Sequence, residues 1–265
     1  MLYNRQTGKA QSISESLDSS VDEFTFTPNS HDDLSLCRRS RTQPDLLRRS
    51  YWWASEEGRS PRVAPTRDVH LTADGKTLVF SRSSMTKPSE IFRADASGSG
   101  SVTALTTTND AFISPFNLRP AEDVTWTGAG GAKVGGWLIQ PPNFQPNRKY
   151  PLVVLIHGGP QGAWNDNWGY RWNPQIYANA GYVVFAPNPR GSTGYGQQFE
   201  NEVSGDWGGK AFIDIMNGVA QTAALSYIDQ NRIGAAGASY GGYDDQLDRR
   251  PQQRSPFPIQ SARFT

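Results

Sequence analysis

The run Gly237-Ala238-Ser239-Tyr240-Gly241-Gly242 sets a serine between glycines two positions to either side. The residues before it, 232–238, are small and apolar after Arg232 and read as a short buried strand. A sharp strand-to-helix turn that lifts a hydroxyl out of a sheet crowds its own backbone. It therefore needs small neighbours, and the hydroxyl it exposes is placed as a nucleophile. A second element of the same chemistry lies upstream, in Tyr150-Pro151-Leu152-Val153-Val154-Leu155-Ile156-His157-Gly158-Gly159-Pro160. Its continuous apolar run predicts a strand buried on both faces. The two glycines after it let the backbone approach a ligand. In such an arrangement one N–H of the His-Gly-Gly loop and that of Tyr240, the residue after the serine, are the candidate donors to an oxyanion, a tight turn closing the strand being the other reading of the loop.

The strands and helices that would hold these residues follow from periodicity. Asp123-Val124-Thr125-Trp126 and Val134-Gly135-Gly136-Trp137-Leu138-Ile139-Gln140 predict paired strands around a glycine-rich hairpin at 127–132. After the strand at 151–156 a loop and helix carry Trp164, Trp168 and Trp172, read as aromatic packing between loop and core or as a pocket lining. Gly181-Tyr182-Val183-Val184-Phe185-Ala186-Pro187 predicts another buried strand. Phe212, Ile215, Met216, Val219 and Ala223 then recur at helical spacing. Strands alternating with helices predict an α/β sheet with the serine at the carboxyl end of a strand. Arg190, Asp206 and Asp214 read as loop anchors and caps rather than as groups in the chemistry, with substrate binding the other reading for Arg190.

The motifs His157-Gly158-Gly159-Pro160, Asn188-Pro189-Arg190-Gly191-Ser192-Thr193-Gly194-Tyr195-Gly196, Asp206-Trp207-Gly208-Gly209 with Asp214, and Gly237-Ala238-Ser239-Tyr240-Gly241-Gly242-Tyr243 occur in this order. With them, positions 120–243 resemble the first half of the catalytic domain of prolyl oligopeptidase-family serine peptidases, in their dipeptidyl-peptidase and acylaminoacyl-peptidase branch. The resemblance implies a partial α/β-hydrolase domain acting on peptides. Ser239 would be the acyl-forming nucleophile, and Tyr240 and Gly158 the oxyanion donors. His157 stands where relatives with a tyrosine in this loop use its hydroxyl, which argues against a direct catalytic role for it.

Ahead of this domain, residues 1–115 read as short antiparallel strands. Val21-Asp22-Glu23-Phe24-Thr25-Phe26-Thr27-Pro28-Asn29 resembles Asp68-Val69-His70-Leu71-Thr72-Ala73-Asp74-Gly75, a spacing of roughly 45 residues that suits propeller blades or an ordinary meander. The family resemblance implies an incomplete β-propeller. Between the two copies, residues 37–67 hold eight arginines around Tyr51-Trp52-Trp53. A nucleic-acid patch, a solvated insertion and a change of reading frame all fit the composition. The pattern stops near Leu36 and resumes near Asp68, which favours the frame change.

Serine needs a base and an orienting carboxylate, in the chain order Ser, Asp or Glu, His for turns of this kind. All three histidines, His31, His70 and His157, precede Ser239, and the 26 residues after it are polar and broken by proline. Asp244 and Asp245 are too close in sequence to orient a distant base. Residues 244–265 therefore read as a disordered tail foreign to the family, and the chain as a truncated peptidase inactive alone. The alternatives are a carboxylesterase and a non-catalytic scaffold remnant.

Composition bounds the rest. Formal net charge is +1 in 265 residues, so no general pull toward nucleic acid exists. One cysteine, Cys37, excludes an internal disulfide. No apolar stretch reaches the ~20 residues of a membrane span. The opening residues are polar, which predicts no signal peptide in this chain and leaves export of a longer parent open. No metal-ligand cluster or phosphate loop is present in the sequence, which predicts no cofactor. The partner expected is a peptide substrate, without nucleic acid or membrane.

Overall fold

The computed structural model describes residues 2–11, 66–96 and 101–244, with the backbone of three further strands at 21–26, 33–37 and 259–263. Two hairpins come first: β1 (Leu2–Asn4) with β2 (Lys9–Gln11), and β3 (Val21–Phe26) with β4 (Asp33–Cys37). A four-stranded antiparallel sheet follows, in the order β5 (Thr66–Leu71), β6 (Thr77–Ser84), β7 (Lys87–Asp95), β8 (Thr103–Ala104). All but the ends of the arginine-rich stretch lie outside the described residues.

Alternation makes this sheet one-sided. Leu78, Phe80, Ala94 and Ala96 are buried with Val69, Leu71, Phe92 and Val102 against them, and Phe80 stacks on Phe92 at 6.1 Å. The first turn is set by Thr72 and Asp74, whose side chains hydrogen-bond each other at 2.6 Å, with Gly75 supplying φ +70°. The buried Glu90 carboxylate accepts N–H bonds from Thr108 and Asn109 and the Thr106 hydroxyl. Desolvation would raise its pKa, but these donors outweigh it and hold the group down at about 2.

After the short helix α1 (Asp110–Ile113) comes a six-stranded mixed sheet. Its strands in chain order are β9 (Glu122–Thr127), β10 (Lys133–Ile139), β11 (Tyr150–Ile156), β12 (Val183–Asn188), β13 (Ile228–Gly237) and β14 (Ile259–Arg263). In space they run β14-β13-β11-β12-β10-β9, with β10 antiparallel to both neighbours and β11 to β14 mutually parallel. The helices between them are α2 (Pro174–Asn179), α3 (Gln197–Asn201), α4 (Lys210–Ala223) and α5 (Tyr240–Asp244). No described helix is long and apolar enough to cross a membrane.

Both faces of the mixed sheet are covered, which is why its central strands are apolar throughout. Leu152, Val154 and Ile156 pack on one face with Val183, Phe185 and Ile233, beneath Ile215, Val219 and Ala223 of α4. Val153 and Leu155 face the other way, with Val184, Ala186, Trp137 and Ile139. Each fully buried Leu or Phe contributes roughly 1.5–3 kcal/mol by leaving water. Helix α4 sits close because position 218 is glycine: a Cβ there would fall 2.7 Å from both Phe185 and Trp126.

Two regions differ from the sequence reading. The tryptophans expected on a loop and helix occupy an irregular loop at 157–173, and helix begins only at Pro174, with Asn173 as its N-cap. Tertiary bonds replace helical ones there. Trp164 Nε1 donates to Leu155 O at 2.8 Å, Trp164 N to Asn188 Oδ1 at 2.7 Å, and Trp164 O accepts from Trp137 Nε1 at 2.8 Å. The aromatic-packing reading holds for Trp164, which packs against the core. In the tail, Ile259–Arg263 forms the edge strand β14 instead of irregular chain. Backbone groups of β13 need partners whatever the side chains are, and apolar patterning does not report that demand. Residues 245–258 lie outside the described part.

The β6–β7 hairpin joins the two sheets. Met85 at its tip is 1 % exposed, sits in the core beside Trp137 and Ile139, and donates its N–H to Asp166 Oδ1 at 2.7 Å.

A buried ion pair ties the loop after β12 to α4. Asp214, fully buried, accepts from Arg190 N at 3.0 Å, Arg190 Nε at 3.0 Å, Arg190 Nη2 at 2.8 Å and Ala129 N at 2.8 Å. Arg190 also reaches Glu202 at 3.0 Å and the Ala129 carbonyl. Its hydrogen bonds to Asp214 hold the guanidinium firmly charged, and its separate hydrogen bond to Glu202 lowers the pKa of that carboxyl. The anchor reading of Arg190 and Asp214 is the one this geometry matches. Asp214→Ala would leave Arg190 buried without its main partner, so urea unfolding should show a loss of about 3–5 kcal/mol; an unchanged midpoint would contradict this.

Candidate active site

Strand β11 has β12 on one side and β13 on the other, so the chain leaves it in opposite directions. Ligands of open α/β sheets bind at such a switch point, beyond the carboxyl ends of the strands. The register pairs Ile156 with Gly237 as the last residues of β11 and β13. His157-Gly158 and Ala238-Ser239 therefore leave the sheet side by side. An ideal Cβ on Gly158 would lie 3.3 Å from Ala238 O, 3.5 Å from Ser239 Cβ and 4.0 Å from Ser239 Oγ. Ser239, Tyr240 and Gly158, separated by some 80 positions in sequence, are thus neighbours.

Ser239 has φ +57°, in the left-handed region, and its side is open to solvent. That conformation costs a non-glycine residue about 1–3 kcal/mol and is kept only where the surroundings impose it. The surroundings here are steric. A Cβ at Gly241 would come within 2.2 Å of Ile156 O, and one at Gly237 within 2.5 Å of the Gly241 carbonyl group. The turn can close only because both positions lack side chains. Gly241 N donates back to Ala238 O at 3.0 Å, completing it.

His157 adjoins the site without facing the serine. Its Nδ1 lies 2.9 Å from Gly158 O and its Nε2 3.0 Å from Ser192 Oγ. A carbonyl can only accept, which puts the ring proton on Nδ1 and leaves Nε2 to accept the Ser192 hydroxyl. Burial lowers the pKa of His157, with the bond to Gly158 opposing, so the ring is neutral at pH 7. Both nitrogens are committed, and His157 is not disposed as a base for Ser239. Among the described residues no hydrogen bond is formed by the Ser239 hydroxyl.

Other candidates from the sequence take structural places. Asp206 accepts the Lys210 N–H at 3.0 Å and anchors the start of α4. Trp168 and Trp172 lie in the loop after β11, and Asp244 ends α5, while Asp245 lies outside the described residues. Two partnerships were not visible in the sequence: Ser192 with His157, and Trp207 with Tyr240, whose hydroxyl donates to Trp207 O at 2.9 Å. They span 35 and 33 positions, and no local pattern links such pairs. Among the described residues no group of three or more His, Cys, Asp or Glu side chains is placed to hold a metal ion.

Two outcomes follow from this geometry. Gly241→Ala must push α5 away from β11, so stability should fall by about 1–3 kcal/mol in urea titrations. For His157 the folded pKa lies below the unfolded value of 6.5. Below pH 6.5 the unfolded chain binds a proton that the buried ring refuses, so stability declines with falling pH, by at most about 1.4 kcal/mol per unit, until the folded ring titrates. Unfolding at pH 7.5 and 5.5 should show a smaller decline for His157→Gln than for the native chain; equal declines would contradict it.

Known proteins resemble this chain over part of its length. Residues 168–244 match the prolyl oligopeptidase family. The chain is 48 % identical over 136 residues to dipeptidyl-peptidase 5 of Schizosaccharomyces pombe, covering 51 % of this chain and 20 % of that one. It is 46 % identical over 132 residues to dipeptidyl-peptidase 5 of Arthroderma otae, covering 49 % and 18 %. The chain therefore spans about a fifth of the length of these relatives. In fold it is similar to the Pyrococcus horikoshii acylaminoacyl peptidase, with TM-score 0.72 at 22 % identity over 91 % of this chain and 37 % of that one. The dipeptidyl peptidase 4 of Porphyromonas gingivalis gives TM-score 0.62 at 18 % identity, over 84 % and 30 %. Over residues 168–244, then, the chain carries the pattern of the prolyl oligopeptidase family; it is related in sequence to part of dipeptidyl-peptidase 5 and shares its fold with part of acylaminoacyl peptidase.

Proposed function

We propose that residues 120–243 form the first half of an α/β-hydrolase peptidase domain in which Ser239 attacks a peptide carbonyl. The four-stranded β5–β8 sheet is then a propeller blade packed ahead of it. The observation that carries this reading is the exposed Ser239 at φ +57°, on a turn closed by Gly237 and Gly241 against the end of β11. In the acylation step the hydroxyl oxygen bonds to the carbonyl carbon, and the carbonyl oxygen takes up negative charge. The backbone N–H groups of Tyr240 and Gly158 are the donors assigned to that charge, and a fixed donor costs no reorganisation during the reaction. The hydroxyl proton must pass to a base, and the leaving amine must receive one.

Among the described residues none is seen to hydrogen-bond Ser239 as that base. His157 is committed to Gly158 and Ser192, and all three histidines precede Ser239 in the chain. Without a base and its orienting acid, an enzyme of this kind retains only what binding and the oxyanion donors supply, a loss on the order of 10⁶ in rate. Turnover of a dipeptidyl anilide by this chain alone should accordingly be near background.

A fluorophosphonate probe separates nucleophile from turnover. The chain should acquire the label slowly and at Ser239 only, and Ser239→Ala should abolish it. Equal labelling of Ser239→Ala would remove the nucleophile assignment, and labelling at the rate of a complete serine hydrolase would show that a base is present.

A further inference from the structure

The candidate oxyanion donor Tyr240 begins a helix of five residues, too short to fix its own orientation in water. Something outside the helix must hold it. Tyr240 is 2 % exposed and packs on Val203 and Ala211. Its hydroxyl donates to Trp207 O at 2.9 Å, and its ring meets that of Trp207 edge to face, centroids 5.4 Å apart at 89°.

Trp207 is unusual in the opposite sense: its residue is 48 % exposed, so core burial does not explain its placement. It stands in Gly205-Asp206-Trp207-Gly208-Gly209, where Gly205 has φ +78° and the three glycines offer the loop no side chains of their own. Asp206 fastens the far end to α4 through Lys210 N, and a Cβ at Gly209 would overlap the Asp206 carboxylate at 1.9 Å. The near end is held through the Trp207 ring. An edge-to-face pair contributes roughly 0.5–1.5 kcal/mol beyond its buried area, enough to select one loop conformation among several.

We infer that Trp207 is a positioning residue for the Ser239 turn: its ring, set against Tyr240, keeps its carbonyl where the Tyr240 hydroxyl can reach it, and so fixes the direction of the Tyr240 N–H. This rests on the assignment of Tyr240 as oxyanion donor. Trp207 touches no reacting atom; it acts through Tyr240.

The test uses the full chain with Trp207→Ala, Trp207→Phe, Tyr240→Phe and Ser239→Ala, read by fluorophosphonate labelling rate and by the ¹⁵N–¹H signals of the Ser239 and Tyr240 amides. Removing one oxyanion donor outright costs about 10²–10³ in rate, so loosening one should slow labelling by about tenfold in Trp207→Ala and Tyr240→Phe. Trp207→Phe keeps a ring and should recover to within about threefold of native. Both amide signals should move in Trp207→Ala and return in Trp207→Phe. Native labelling rates in Trp207→Ala, or no recovery in Trp207→Phe, would overturn the inference. Should Trp207→Ala fail to fold, Tyr240→Phe, which lacks only one oxygen, decides by the same rates. Should the native chain carry no label at Ser239, the nucleophile assignment falls, and the amide signals alone decide: unmoved signals in Trp207→Ala overturn the positioning role, and signals moved there and restored in Trp207→Phe uphold it.

Discussion

The parallel pairing of β11 with β13, in the register that ends Ile156 opposite Gly237, is the constraint on which the site depends. It brings two chain exits to one point and leaves no room between them. The Ile156 carbonyl stands where a side chain on Gly241 would begin, and the Gly241 carbonyl where one on Gly237 would. With the turn pressed against β11 in this way, Ser239 has nowhere to go but the left-handed region, with its side open to solvent. Shifting the register by one residue would reverse the faces of β13 and bury the serine's exit. Packing on both faces of the sheet is what prevents that shift.

Around this point the loops are held by polar groups rather than by apolar burial. Arg190 and Asp214 fasten the loop after β12 to α4 and to the β9–β10 turn. His157 and Ser192 join the loop after β11 to the same region, and Asn188 binds Trp164 through both ends of its amide. Loops rich in glycine and proline cannot bury enough carbon to order themselves, and a buried polar group is costly unless paired. Satisfied networks of this kind specify one arrangement because any alternative strands a donor or a charge. The ring of His157 takes part as a neutral donor and acceptor, a role set by burial.

Much of the fold was legible in order and type. The apolar runs at 151–156 and 183–187 are continuous because their strands are covered on both sides, and the 3.6-residue recurrence of Phe212, Ile215, Val219 and Ala223 marks the buried face of α4. The loop at 157–173 was less legible. Its tryptophans are as apolar as a core helix requires, but the indole N–H and backbone of Trp164 are satisfied by β10, β11 and Asn188, partners that local sequence does not reveal. The edge strand β14 escaped for a related reason, since its pairing answers the backbone of β13 and leaves no hydrophobic pattern.

The sequence by itself determined which residue types could do chemistry: a serine between glycines and a His-Gly-Gly loop after a buried strand. These are local facts of residue type and spacing, and local sterics suffice to read them. Only the tertiary structure decided which groups meet. It set Gly158 beside Ser239, committed both nitrogens of His157 to Gly158 and Ser192, and placed Trp207 against Tyr240. Such contacts join positions tens of residues apart through the sheet, so they exist only once the register of β11 and β13 is made.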